Sequence, residues 1–83
     1  MDDLLLNLEI PSLQESFDIF APAELKIGQL AEILANGISD LTNGRYSISG
    51  REMLMLRKPD VLLNPEKSLK DYNIREGSIL MLL

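Results

Sequence analysis

Only one stretch of this chain places its apolar residues three and four positions apart. Ile27, Leu30, Ala31, Leu34, Ile38 and Leu41 repeat at that interval, while Lys26, Gln29, Glu32 and Asn36 lie mostly off the stripe. The spacing predicts one amphipathic helix over residues 25–41. A lone helix cannot bury such a stripe on itself, so the rest of the chain must supply the apolar surface that covers it. Gly28 and Gly37 each weaken the helix by about 1 kcal/mol relative to Ala, and Gly37 leaves its carboxyl end loosely specified.

The rest of the chain reads as strands. Leu4, Leu6, Leu8 and Ile10 alternate with Asn7 and Glu9, the period of a half-buried strand. Pro11-Ser12 breaks the run, residues 11–14 turn, and Phe17 and Ile19 alternate with Ser16 and Asp18 to complete a hairpin. Beyond the helix, the polar segment 42–50, with Asn43-Gly44 and Ser49-Gly50, is the longest loop and the most flexible expectation. Residues 51–57 form a third strand, with Leu54 and Leu56 on one side and Met53, Met55 and Arg57 on the other. Val61-Leu62-Leu63 is a short fourth strand. Leu69 to Ile74 is a compact connection holding one 3₁₀ turn, and Glu76-Gly77 turns the chain into a last strand from Ser78 to Leu83. The fold class is α+β: two hairpin strands, a helix and three further strands, forming a mixed five-stranded sheet packed on one α-helix. Eighty-three residues leave room for one domain spanning 1–83.

Composition removes several functional classes. There is no cysteine and no histidine, so there is no disulfide frame, no thiolate nucleophile and none of the usual zinc ligands or neutral-pH acid–base groups. Neither enzyme, metal site nor cofactor is expected. The net charge is −5 and the eight Lys and Arg are scattered, which disfavours nucleic acid and acidic membranes. Met1-Asp2-Asp3 lacks the basic start of a signal peptide, and no apolar run approaches the roughly 20 residues that span a bilayer. The expected location is cytoplasmic, without membrane insertion.

The segment Leu62-Leu63-Asn64-Pro65-Glu66-Lys67-Ser68-Leu69-Lys70-Asp71-Tyr72-Asn73-Ile74 resembles the matching stretch of ubiquitin, most closely at Leu69-Lys70-Asp71-Tyr72-Asn73-Ile74. A narrower resemblance joins Leu25-Lys26-Ile27-Gly28-Gln29-Leu30 with the closing run from Leu69 to Leu83. Together they resemble the YukD-like (EsaB-like) proteins, small bacterial ubiquitin-like proteins associated with type VII (Yuk/ESX-type) secretion. The resemblance covers about residues 4–83 and is weakest at residues 42–50 and the strand after them. It implies a β-grasp fold, with the first and last strands parallel and central, and an accessory or regulatory role beside a membrane-bound secretion machine.

In the strand order that the resemblance implies, the last strand lies between the first and third. If Leu80 and Leu82 face the core with Leu54 and Leu56, then Leu5, Met53, Met55, Arg57, Ile79, Met81 and Leu83 share the outer face. Such a patch exposes on the order of a few hundred Å², a size that marks interaction sites, and methionines suit adaptable surfaces. The competing reading is a central strand apolar on both faces with ordinary surface above it. Ubiquitin also binds partners through this face; with Arg57 at its centre here, ubiquitin's own partners should bind poorly.

Other residues read as structural. The Tyr72 hydroxyl should bond backbone in the connection before it. Asp71 and Glu76 belong to turns rather than to a catalytic carboxylate pair, Asp2-Asp3 is a solvated, frayed acidic end, and Arg45, Arg51 and Arg57 form a loose group of solvated charges. Conjugating modifiers and sulfur carriers end in Gly-Gly, whereas this sequence stops at Leu82-Leu83 within a strand, as YukD-like proteins do. The expectation is a non-conjugating, non-enzymatic protein-binding module that docks on a cytoplasmic domain of a membrane-bound secretion component. The alternatives are a modifier or sulfur carrier whose Gly-Gly is encoded beyond Leu83, and a self-associating scaffold that forms a homodimer through the outer sheet face.

Overall fold

A computed structural model describes residues 3–83. Its elements are β1 (Asp3–Ile10), β2 (Glu15–Pro22), α1 (Ile27–Leu41), β3 (Leu54–Leu56), β4 (Val61–Leu62) and β5 (Ile79–Leu82), with 3₁₀ turns at Pro11–Leu13 and Lys70–Tyr72. The five strands form one sheet in the order β2-β1-β5-β3-β4. β1 and β5 are parallel, while the β1–β2, β3–β5 and β3–β4 pairs are antiparallel. This is the β-grasp arrangement, with the first and last strands at the centre. The acidic end at Asp2 lies outside the described residues, and Asp3 is no frayed residue: it opens β1 opposite Pro22.

Alternation decides which side chains meet the helix. Leu6, Leu8 and Ile10 of β1, Leu54 of β3, and Leu80 and Leu82 of β5 are buried on one face of the sheet. α1 covers that face with Ile27, Leu30, Ala31, Leu34, Ala35 and Ile38. Leu63, Leu69 and Ile74 close the side of the same core. Each large side chain withdrawn from water in this way stabilises the fold by about 1.5–3 kcal/mol.

The helix begins at Ile27, two residues later than the expected start at residue 25, because its start is set by what it touches. The Ile27 and Gly28 N–H groups donate to the carbonyls of Lys67 (2.8 Å) and Pro65 (2.9 Å), partnering two amides that a helix start leaves free. A Cβ on Gly28 would meet Pro65 Cβ at 3.1 Å and its carbonyl oxygen at 3.3 Å, closer than Cβ atoms ordinarily come, so any larger residue here makes Pro65 give way. At the other end, Asn43 adopts a left-handed conformation, φ 54°. The Asn43 and Gly44 N–H groups donate to Asp40 and Ser39, completing a Schellman stop. The stripe expected to end at Leu41 is corrected here. Leu41 is 64% exposed, because Thr42 and Tyr46 occupy that end of the core instead. The Thr42 hydroxyl donates to the Ile38 carbonyl at 2.7 Å and accepts from the Tyr46 N–H.

The polar loop is anchored rather than free. Tyr46 is buried with the core, and its hydroxyl donates to Glu52 at 3.1 Å. The Glu52 carboxylate also accepts from the Ser49 and Gly50 N–H groups and from the Ser49 hydroxyl. This cap takes residues 51–53 out of regular strand pairing and shortens the expected third strand to Leu54–Leu56, although Met53 still exchanges two backbone hydrogen bonds with Leu83. Burial pushes the Tyr46 phenol up to about 12, helped by its bond to the Glu52 carboxylate and by that group's charge. Burial pushes Glu52 upward too, but backbone N–H groups and the Ser49 and Tyr46 hydroxyls outweigh it and hold the carboxyl below the usual carboxylate range.

Urea unfolding should show Gly37→Ala stabilising the chain by about 1 kcal/mol, because nothing lies within 4 Å of the added Cβ. Gly28→Ala should fall short of the gain at Gly37, since the added Cβ presses on Pro65. Glu52→Gln should cost about 1 kcal/mol at neutral pH. A depressed carboxyl pKa contributes stability above the unfolded value and loses it as pH falls through the folded one, so the gap between Glu52→Gln and the parent should close as pH drops below about 4. The raised Tyr46 works in the opposite direction, its contribution intact below about 10 and lost as pH rises toward about 12.

Candidate protein-binding face

The face of the sheet turned away from α1 carries every residue that the sequence nominates for binding. Register fixes their neighbours. Met81 of β5 lies between Glu9 of β1 and Met55 of β3, and Met55 in turn faces Leu62 of β4. Ile79 lies beside Asn7, and its carbonyl accepts the Arg57 N–H at 2.9 Å. Met53 and Leu83, joined by their two backbone bonds, sit at the far end. Leu5 faces Phe20 across β1–β2.

These residues do not make one continuous apolar patch. Arg57 Nη1 donates to Glu9 Oε1 at 2.7 Å, so the two side chains meet across β5, and Arg57 Nε donates to Asp60 Oδ1 at 3.0 Å. Beside this bridge, Asn7 Nδ2 donates to Asp18 Oδ1 at 3.3 Å. The polar diagonal divides the face. On one side Met53, Met55, Leu62, Met81 and Leu83 lie together; on the other Leu5 lies with Phe20. Met55, Ile79 and Met81 are half-buried beneath and beside the bridge, whereas Met53, Leu62 and Leu83 are exposed. Arg57 is already doubly paired and is not an open basic contact.

Phe20 and Leu62 are absent from the sequence-based set, yet they are 70% and 51% exposed. Parity could have found Phe20, because it shares its side of β2 with Asp18. Leu62 offers no such signal: a three-residue apolar run does not declare its outward member. Arg45 pairs with Glu15 and Arg57 with Glu9 and Asp60, while Arg51 has no ion pair among the described residues, so the three arginines do not act together.

The remaining nominated residues are structural. The Asn64 N–H donates to the Tyr72 hydroxyl at 2.9 Å, the expected tie into the preceding connection. Asp71 accepts from the Ser68 N–H at 2.9 Å while its own N–H donates to the Ser68 hydroxyl, a reciprocal cap on the 3₁₀ turn. That backbone bond leads the causes holding the Asp71 carboxyl below its ordinary value. Glu76 accepts from the Leu5 N–H at 2.9 Å and joins the start of β1 to the turn before β5. Among the described residues no three His, Cys, Asp or Glu side chains are grouped to hold a metal ion, and no helix is long and apolar enough to cross a membrane.

The fold is that of ubiquitin-like domains. The ubiquitin-like domain of the Mycobacterium tuberculosis type VII secretion system protein EccD1 superposes with TM-score 0.79 at 16% identity, over 100% of this chain and 99% of that one. A chain of the MycP5-free ESX-5 inner membrane complex gives TM-score 0.72 at 13% identity, over 100% of this chain but only 21% of that one. The UBL domain of Plasmodium falciparum Dsk2 gives 0.68 at 12% identity, over 99% and 100%. No protein-family model matches the chain, and no curated protein matches it. At these identities the likeness establishes the ubiquitin-like β-grasp fold.

The ionic bridge across β5 is partly exposed, with side chains 30% and 35% accessible at Arg57 and Glu9. Bridges of that kind contribute little. A double-mutant cycle with Arg57→Met and Glu9→Gln should give a coupling of about 0.5–1 kcal/mol that shrinks with added salt. A coupling above about 3 kcal/mol, the range of buried pairs, would contradict this.

Proposed function

We propose that this chain is a non-enzymatic, ubiquitin-like protein-binding module: a cytoplasmic accessory or regulatory component of a bacterial type VII (ESX/Yuk-like) secretion system, of the YukD-like kind. The observation that carries the reading is the end-to-end agreement in fold with a ubiquitin-like domain of a type VII secretion protein, which covers nearly all of both chains. It joins the independent resemblance of residues 25–30 and 69–83 to YukD-like sequences. A second structure of the same fold belongs to an ESX-5 inner membrane complex, which supports a partner within such an assembly. The lack of any histidine or cysteine favours binding over catalysis.

Within this reading the partner docks on the outer sheet face, on the lobe formed by Met53, Met55, Met81 and Leu83 with Leu62 beside them. Arg57 with Glu9 forms the lobe's polar border, Ile79 lies beside that border, and Leu5 belongs to the separate lobe with Phe20. The partner is a cytoplasmic domain of a membrane-bound secretion component.

The test is a pull-down of such domains with the parent chain and with Met55→Asp plus Met81→Asp. Both positions face away from the core, so the double variant should keep its fold by circular dichroism while losing the partner. A folded variant that retains every partner would refute the assignment of this face. Sedimentation of the parent across concentrations separates the alternative, in which the same face pairs with a second copy.

A further inference from the structure

We propose that the flank of α1 formed by Ile33, Gly37 and Leu41 is a second docking surface, and that it takes a basic amphipathic helix of a partner protein. The inference does not rest on the outer sheet face, because α1 covers the opposite side of the sheet.

Ile33 is 57% exposed and Leu41 64%, and among the described residues only Phe20 is a more exposed large hydrophobic side chain. Positions 33, 37 and 41 are spaced by four and so form one ridge along the helix. Gly37 lies between the two apolar side chains with nothing within 4 Å of where its Cβ would be. The ridge therefore has a bulge at each end and a notch at its middle, where another helix can approach the backbone closely. None of this serves the fold. The core uses the neighbouring stripe, Gly37 weakens the helix it sits in, and Leu41 is left in water although its spacing matches the core positions. Local choices that work against folding mark places where another requirement operates.

Charge selects the occupant. α1 contains Glu32 and Asp40 and no Lys or Arg. With Asn36 they form the row next to the apolar ridge, and among the described residues neither carboxylate has an ion-pair partner. Asp40 also lies in the last turn of the helix, where the negative end of the helix dipole repels a carboxylate. A partner helix whose apolar ridge is edged by Lys or Arg buries Ile33 and Leu41 and relieves both carboxylates. A second copy would instead bring identical acidic rows together, on chains that each carry −5. An anionic membrane is opposed for the same reason. The 15-residue helix is about 22 Å long, enough for one crossing helix and an interface at the weak, transient end of the size range.

The probe is a synthetic amphipathic helix of Leu and Lys, about 18 residues long, titrated into the ¹⁵N-labelled chain and followed by amide shifts; a Leu/Glu peptide of the same pattern is the control. The expected result is shifts centred on Ile33, Gly37 and Leu41, with no binding of the control. Ile33→Ala plus Leu41→Ala should weaken binding about tenfold or more, and Glu32→Lys plus Asp40→Lys should abolish it. Ala and Lys favour helix, so both variants should keep the parent's melting temperature. Shifts centred on Met55 and Met81, equal binding of the Leu/Glu peptide, or no binding would each overturn the proposal. So would a concentration-dependent dimer, or binding to anionic vesicles, that Leu41→Ala removes, since either would assign the ridge to a different occupant.

Discussion

Everything else in this structure depends on the parallel pairing of β1 with β5. Asn7, Leu8 and Glu9 lie opposite Ile79, Leu80 and Met81, joining the two ends of the chain at the centre of the sheet. The Asn7 N–H donates to the Ser78 carbonyl at 3.0 Å, the Gly77 N–H to Leu5 at 2.9 Å, and the Glu76 carboxylate receives the next free donor of β1. Closing so long a loop costs chain entropy before any contact is gained. The burial of Leu6, Leu8, Ile10, Leu80 and Leu82 under α1 is what offsets that cost. Without this pair, β2 would have no sheet to edge, β3 and β4 would be an isolated hairpin of three and two residues, and the apolar stripe of α1 would lie in water.

Placing β5 at the centre also determines the outer face. A strand flanked on both sides exposes little of either face, so Ile79 and Met81 are half-buried beside the Arg57–Glu9 contact. Arg57 and Glu9 then meet across β5. Their contact splits the apolar surface into a methionine-rich lobe and a smaller one around Phe20. A surface of that shape presents one compact apolar area with a polar border.

The fold was legible for a simple reason: period two and period 3.6 do not imitate one another. One helix and five strands follow from alternation, and the β-grasp order follows from the ubiquitin-like stretch at residues 62–74. Tyr72 was equally legible, because its role is local, a bond to a backbone amide eight residues earlier. Segment 42–53 was not. Its polar sequence hides Tyr46 in the core, and the Glu52 cap that shortens β3 depends on where the loop folds back. Leu41 was misread because spacing tells which side of a helix a residue occupies but not where the covered surface ends.

The sequence by itself determined the elements, the inward and outward sides of each long strand and the absence of histidine and cysteine chemistry, because these are properties of single residues and of spacing. Tertiary structure alone decided that Arg57 is engaged by Glu9 and Asp60, that Leu62 joins the outer face, that Gly28 makes room for Pro65, and that Ile33 and Leu41 stand in water. Each of these depends on which distant segment arrives beside a residue, and that is settled by strand order and register, not by periodicity.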